Sequence, residues 1–134
     1  MKLEEVGQDL EKRTEPRFQC RFPTKIISDQ GDHIEGLIVN ISLSGMQIVS
    51  NGPAMAALFP NFKRDNQSKP INLLVEFVIP TSSNEEVTIK VHANAVWVRR
   101  VQRDMFAVGC EFTEMLDDAG ELLTDYIYYF GKPL

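Results

Sequence analysis

Alternation of apolar and polar residues is the dominant pattern in the second half of the chain. In residues 87–97 every odd position is apolar and most even positions are polar, which is typical of a long strand with one buried face. Residues 71–79 and 106–112 alternate in the same way, and turn-forming residues occupy 80–84. The pattern therefore predicts three antiparallel strands joined as a meander.

Three shorter β-rich runs precede this meander, at residues 22–28, 33–39 and 46–50. Turn-forming residues at 29–32 and 41–45 separate them. No helical pattern interrupts the six runs, and strands at this spacing favour a small antiparallel barrel over a parallel sheet. The sequence thus predicts a mainly β fold, a six-stranded antiparallel β-barrel followed by a C-terminal α-helix.

The helix is predicted from a change of period near the end of the chain. One helical stripe collects the apolar residues Leu122, Leu123, Tyr126, Ile127 and Phe130, so this stripe should lie against the barrel. Asp118 followed by Glu121 predicts a capping box at the start of the helix.

Two segments lack the strand pattern. Residues 51–70 hold three prolines around a short apolar stretch, which predicts a loop carrying one helical turn. Residues 1–11 are predicted to be a flexible lead-in, which leaves residues 12–134 for the barrel and its helix.

Composition narrows the classes of function. The 134 residues carry a net charge of −5, which disfavours DNA or RNA binding by bulk attraction. The two cysteines lie in no metal-ligand spacing, and no serine or cysteine sits in a nucleophile signature, so neither a metal site nor an enzyme is expected. The acidic N-terminus and the absence of a long apolar run indicate a cytoplasmic protein with free thiols and no membrane insertion.

One segment is nevertheless locally positive. Residues 12–25 contain five basic side chains and one acid. Arg13 and Arg17 stand four residues apart, and Pro16 disfavours a helix, so the segment should be extended or turned. Four residues of extended chain span up to ~13 Å, which separates the two guanidinium groups. Guanidinium groups form paired hydrogen bonds with phosphates and with the edge of guanine.

A second polar cluster follows the second predicted strand. Asn40 and Ser42 project to one side of an extended backbone, and both side chains can donate and accept hydrogen bonds. Gly45 permits a positive φ, with which the chain can turn back under a ligand.

Arg13-Thr14-Glu15-Pro16-Arg17 and Asn40-Ile41-Ser42-Leu43-Ser44-Gly45 together resemble the two signatures of the PilZ domain, Arg-x-x-x-Arg and Asp/Asn-x-Ser-x-x-Gly. The strand order and the ending Phe106-Ala107-Val108-Gly109-Cys110-Glu111-Phe112 resemble the same family over residues 12–130. This resemblance implies a receptor for cyclic di-GMP that needs no other cofactor. It also implies that Arg13 and Arg17 bind phosphate and guanine, and that Asn40, Ser42 and Gly45 hold a guanine edge.

Three further candidate ligand-binding residues are Lys12, Ser44 and Trp97. Lys12 stands where many family members carry another arginine, so one ligand or a stacked pair can be bound. Trp97 lies on the apolar side of its strand, and both core burial and stacking on a base remain open. Arg99, Arg100 and Arg103 predict a solvated strand end that can add to the positive field or bind a partner.

Three functions are compared on these residues. The first is a cyclic di-GMP receptor that changes conformation and signals to an unidentified effector protein, with motility, polysaccharide export or virulence as the output. The second is an adaptor with the same fold that acts without nucleotide. The third, a barrel for single-stranded nucleic acid, is disfavoured by the acidic charge and by the few aromatic residues among the basic ones.

Overall fold

A computed structural model describes residues 15–58 and 71–134 of the chain. The strands are β1 (Phe18–Ser28), β2 (His33–Ile41), β3 (Gly45–Asn51), β4 (Ile71–Pro80), β5 (Glu86–Gln102) and β6 (Met105–Met115), and the helices are α1 (Gly52–Leu58) and α2 (Ala119–Phe130). Every neighbouring pair of strands is antiparallel, and the order β1-β2-β3-β6-β5-β4 closes into a barrel because β4 pairs with β1. The predicted six-stranded barrel with a C-terminal helix is confirmed.

The interior of the barrel is built from the alternating residues of the sequence pattern. In the β4–β5 ladder, Leu73 pairs with Ala93 and Phe77 pairs with Ile89, and each of these side chains is at most 2% exposed. The other strands add aliphatic side chains such as Ile26, Ile38 and Ile48. Removal of this apolar surface from water is the main favourable term in folding.

Several strands are longer than predicted. β1 begins at Phe18, four residues before the predicted run, and therefore starts directly after Arg17. β5 continues to Gln102 and forms a tight hairpin with β6, which starts at Met105. β-Bulges interrupt the alternation of apolar and polar residues in the added parts of β1 and β5. A prediction that requires a strict period of two therefore makes these strands too short.

Helix α2 packs most of its predicted stripe against the barrel, whereas Phe130 at its end is 38% exposed. Leu123 is fully buried and Tyr126 is 7% exposed. The Tyr126 ring meets Phe22 of β1 edge-to-face with 5.3 Å between centroids. The predicted capping box is wrong: Asp118 is the N-cap residue but makes no side-chain cap hydrogen bond. A backbone hydrogen bond takes the place of the cap at the N-terminus of the helix, because the amide of Ala119 donates to the carbonyl of Leu116 over 2.9 Å.

The predicted loop at 51–70 begins as helix α1, whose seven residues form about two turns. The Asn51 side-chain oxygen accepts a hydrogen bond from the amide of Ala54 at 2.8 Å and so caps this helix. The remainder, residues 59–70, and the lead-in at 1–11 lie outside the described residues. Among the described helices, none is long and apolar enough to cross a membrane.

Candidate functional site

A cavity of about 500 Å³ opens on the outer surface of the barrel. Its walls come from the segment before β1, the turn after β2, and strands β3, β6 and β5. The residues predicted from the sequence that line it are Arg17, Asn40, Ser42, Ser44, Gly45 and Trp97. The others are Glu15, Met46, Gln47, Val96, Gly109, Cys110 and Glu111. We call this the site cavity.

One row of paired residues forms the floor of the site cavity across four strands. Asn40 of β2 pairs with Gln47 of β3, Gln47 pairs with Gly109 of β6, and Gly109 pairs with Trp97 of β5. The flanking residues of β3, Met46 and Ile48, are buried in the barrel, so the row faces outward. Within the row, the side-chain amide of Asn40 donates a 3.0 Å hydrogen bond to the side-chain oxygen of Gln47.

A bulge in β5 places Trp97 in this row. Ala95 pairs with Cys110 and Trp97 pairs with Gly109, so Val96 is an extra residue with no partner on β6. The bulge reverses the alternation, because Ala95 faces the core and Trp97 then faces out. Trp97 therefore lines the site cavity on the outer surface and not the core, and stacking of a base on it stays a prediction. Placing it on the apolar side of a regular strand was wrong.

The indole ring of Trp97 lies directly against the β6 backbone at Gly109. A Cβ atom on Gly109 would overlap the ring of Trp97. Only glycine leaves room for the ring to approach the strand this closely. The guanidinium carbon of Arg99 stands over the same ring, 5.2 Å from its centroid.

The turn between β2 and β3 is organised by the hydroxyl of Ser42. Its oxygen accepts hydrogen bonds from the backbone amides of Ser44 and Gly45, each at 3.2 Å. The backbone amide of Ser42 donates to the carbonyl of Gly45 over 2.9 Å. Ser42 is 6% exposed, so it acts on the shape of the turn as well as lining the cavity.

The reason for glycine at position 45 differs from the predicted one. Gly31 is the one glycine with positive φ among the described residues, so Gly45 does not use the left-handed region. A Cβ atom at Gly45 would instead overlap the carbonyl oxygen of Cys110 on β6. Glycine is needed here because β3 approaches β6 closely at the edge of the site cavity.

Arg17 is exposed and precedes β1 at the open side of the site cavity. Its carbonyl oxygen accepts a 3.1 Å hydrogen bond from the amide of Leu134, which fixes the backbone at this position. Glu15 is nearby and its carboxylate accepts a hydrogen bond from the hydroxyl of Ser44. Arg13 and Lys12, the other basic residues predicted for this site, lie outside the described residues.

The family model for the PilZ domain matches residues 11–129. The chain belongs to the PilZ domain family. No curated protein sequence is significantly similar to it. The family resemblance read from the Arg-x-x-x-Arg and Asn-x-Ser-x-x-Gly segments is therefore confirmed.

Solved PilZ structures share the fold at low sequence identity. The inhibitor of motility MotI/DgrA from Bacillus subtilis superposes with a TM-score of 0.60 at 18% identity, covering 87% of this chain and 48% of that one. The PilZ domain of YcgR from Escherichia coli, solved with c-di-GMP, gives 0.59 at 10% identity and covers 87% and 89%. PlzA from Borreliella burgdorferi, also in complex with c-di-GMP, gives 0.52 at 8% identity and covers 98% and 60%. The chain thus spans about half the length of MotI/DgrA.

Sequence reasoning missed the seven other residues that line the site cavity of this PilZ domain, among them Gln47, Gly109 and Glu111. Gln47 alternates with the buried Met46 and Ile48, which was a usable signal for an outward side chain beside Asn40. Gly109 carried no signal, because its role depends on an indole ring from another strand. Glu111 adds a carboxylate to the cavity, as does Glu15.

The thiol of Cys110 lies under the site cavity and is inert at neutral pH. The residue is 5% exposed, and burial raises the pKa of the thiol to about 12. A thiol in this state is a poor nucleophile and metal ligand. Within residues 15–58 and 71–134 no three His, Cys, Asp or Glu side chains are grouped to hold a metal ion.

Proposed function

We propose that this PilZ domain is a receptor for cyclic di-GMP, which binds in the site cavity, and that it acts on an effector protein and not as an enzyme. The observation that carries the proposal is the meeting of Arg17, the Asn40–Gly45 turn and Trp97 around one cavity, although they are far apart in the chain. The cavity volume of about 500 Å³ falls in the range of small-molecule sites. Two proteins with the same fold, YcgR and PlzA, were solved with this nucleotide.

Each side chain has a role in this proposal that fits its chemistry. Arg17 supplies a charged pair of hydrogen-bond donors for a phosphate or for the edge of guanine. Arg13, from the same Arg-x-x-x-Arg segment, is proposed as the second arginine. The amide of Asn40, oriented by Gln47, and the turn held by Ser42 and Gly45 contact the other edge of a base.

The aromatic residue completes the arrangement. Trp97 lines the site cavity on the outer surface, and a base stacked on an aromatic side chain contributes about 1–3 kcal/mol in nucleic-acid complexes. Ser44 and Lys12 are proposed as additional contacts at the rim. An ammonium group at Lys12 cannot stack on a base as a guanidinium group does, which bears on whether one nucleotide or a stacked pair is bound. The titration described below also measures this number.

The effect of nucleotide binding is proposed to reach the surface through the C-terminal tail, residues 131–134, which follows α2. The segment that carries Arg17 is hydrogen-bonded to this tail, since the amide of Gln19 donates to the carbonyl of Lys132 at 2.8 Å and the amide of Leu134 to that of Arg17. A phosphate that fixes Arg17 therefore also restrains the tail next to α2. Tyr128 at the end of α2 is 80% exposed and is available to a partner. Binding is thus proposed to change the surface that an effector of motility, polysaccharide export or virulence contacts.

Isothermal titration calorimetry with cyclic di-GMP tests the receptor function. We expect the parent protein to bind with a dissociation constant near ~1 μM, which corresponds to about −8 kcal/mol, and Arg17→Ala to bind at least ~10-fold more weakly. Arg103→Ala is the matched control, because it removes the same charge in the β5–β6 turn, outside the cavity lining. No heat of binding with the parent protein would overturn the proposal.

The exposed aromatic residues of α2 favour a second candidate, an adaptor that contacts its partner without nucleotide. Tyr128 and Tyr129 are 80% and 58% exposed, and tyrosine is enriched in protein interfaces. Affinity capture of an effector on this chain with and without cyclic di-GMP separates the two candidates. Equal capture in both conditions supports the adaptor, and capture that changes with nucleotide supports the receptor.

A further inference from the structure

Arg99 contacts Trp97, a residue that lines the site cavity, although Arg99 is not itself one of the lining residues. After the bulge at Val96, Trp97 faces out of the barrel, and Arg99 follows it two positions later on the same face. Its guanidinium carbon stands over the indole ring, 5.2 Å from the ring centroid. A guanidinium over an aromatic ring is a favourable cation–π arrangement, so the position of this charge is partly set before any ligand arrives.

The described lining of the site cavity carries more acidic than basic side chains, so a cation next to it would favour the binding of an anionic ligand. Among the described residues that line the cavity, Arg17 is the one basic residue, against the carboxylates of Glu15 and Glu111. A cyclic dinucleotide brings two phosphate groups, each with a negative charge. Arg17 lies in the segment before β1, whereas Arg99 lies on β5, two positions after Trp97.

We propose that Arg99 is a further ligand-binding residue, whose guanidinium group is held over Trp97 and pairs with a phosphate of the nucleotide. This inference rests on the proposed cyclic di-GMP function and deepens it by assigning a cation on β5 next to Trp97. Arginine fits this position better than lysine, because its planar group stacks on the ring while its N–H donors remain available to phosphate oxygens.

The neighbouring arginine provides a matched control. Arg100 lies on the same strand and is also exposed, and its guanidinium carbon stands 5.3 Å from the centroid of the Phe106 ring. It has the same charge and the same kind of aromatic contact, but its partner Phe106 does not line the site cavity, whereas Trp97, the partner of Arg99, does. A long-range effect of net charge would therefore appear equally in variants of both arginines.

Calorimetry with cyclic di-GMP on the parent, Arg99→Gln, Arg99→Lys and Arg100→Gln measures the contribution of Arg99. We expect Arg99→Gln to bind about 10-fold more weakly, Arg99→Lys to recover part of the loss, and Arg100→Gln to stay within about twofold of the parent. Repeating the titrations over a range of salt concentrations adds a readout that a purely structural role would not change. The affinity of Arg99→Gln should depend less steeply on salt, because one phosphate contact is missing.

Tryptophan emission reports on the same place, since Trp97 is the only tryptophan of the chain. We expect Arg99→Gln to change the emission of the free protein and Arg100→Gln to leave it unaltered. Unchanged circular dichroism in each variant shows that the barrel remains folded.

The outcomes separate the two proposals. Absence of binding by the parent would overturn the receptor function and this role with it. A parent that binds while Arg99→Gln binds as well or more tightly, with the same salt dependence, would overturn the role of Arg99 alone and leave the receptor function in place.

Discussion

Two parts of the barrel wall differ in the regularity of their strand pairing. The β4–β5 ladder runs through ten consecutive pairs, from Ile71 with Ala95 to Pro80 with Glu86, without a shift of register. The β2–β3 ladder is interrupted between Ile38 and Asn40. The β5–β6 ladder is interrupted three times, once between Ala95 and Trp97. The site cavity spans these two interrupted ladders and the regular β3–β6 ladder that lies between them.

The difference shows how one barrel provides both burial and binding. In the regular ladder alternate residues all point into the core, so its contribution is mostly buried apolar area. Each bulge adds a residue that turns the following side chains to the other face. In β2 the extra residue is Val39 and the side chain after it is Asn40. In β5 the extra residue at the site is Val96 and the side chain after it is Trp97. The bulges therefore carry the residues of the site out of the core.

Removing a side chain from the regular ladder should have the largest effect on stability. Leu73 is 2% exposed, and Leu73→Ala should lower the free energy of unfolding by about 3 kcal/mol through lost burial and a cavity. Val78→Ala on the same strand is the control, because Val78 is 44% exposed. Urea denaturation measures both variants, and calorimetry should find the nucleotide affinity of folded Leu73→Ala unchanged. Equal losses in the two variants would contradict the assignment of this ladder to burial.

The same contrast explains which parts of the structure could be predicted from the sequence. Where the ladder is regular, alternation predicted β4 and most of β5 correctly, and turn residues predicted their hairpin. Trp97 was misplaced because nothing in the local sequence marks Val96 as an extra residue; only its pairing with β6 does. The need for glycine at position 45 likewise comes from a carbonyl on another strand. The two sequence motifs predicted that Arg17 and the Asn40–Gly45 turn lie close together. The contacts that position these residues are made with other strands and could not be predicted from the local sequence.

Gly45→Ala tests the close approach of β3 to β6 at the edge of the site cavity. The added Cβ would overlap the carbonyl oxygen of Cys110, a backbone atom that cannot move alone, so we expect a loss of about 2 kcal/mol and weaker nucleotide binding. Gly120→Ala is the control, because a Cβ there meets nothing nearer than 3.9 Å and alanine favours the helix. Thermal denaturation of both variants gives the comparison. Unaltered stability in Gly45→Ala would show that the strands can separate at no cost.

Ser42→Ala tests the hydrogen bonds of the turn. Two backbone amides, those of Ser44 and Gly45, donate to the Ser42 hydroxyl at 3.2 Å, and their loss should cost about 1 kcal/mol and weaken binding by loosening the turn. Ser42→Thr keeps the hydroxyl and should behave like the parent protein. Ser83→Ala, in the exposed β4–β5 turn, is a control for removal of a serine from a turn. A stable Ser42→Ala with parent-like affinity would mean that the turn holds its shape without the hydroxyl.

The last prediction is that the stability of the protein depends on pH through the thiol of Cys110. This residue lies between the site cavity and the core of the barrel. Burial raises the pKa of this thiol from 9.0 to about 12, so the folded chain keeps a proton that the unfolded chain loses. The stabilisation is fully present below pH 9 and is lost as the pH rises towards 12.

The difference in unfolding free energy between the parent and Cys110→Ala isolates this thiol, because all other titrating groups are present in both proteins. We expect that difference to be constant from about pH 7 to 8 and to shift against the parent by about 1 kcal/mol at about pH 10. Urea denaturation at each pH measures it. A difference that stays constant would mean that water reaches the thiol from the site cavity, and that the floor formed by Gln47, Gly109 and Trp97 does not keep the interior of the barrel dry.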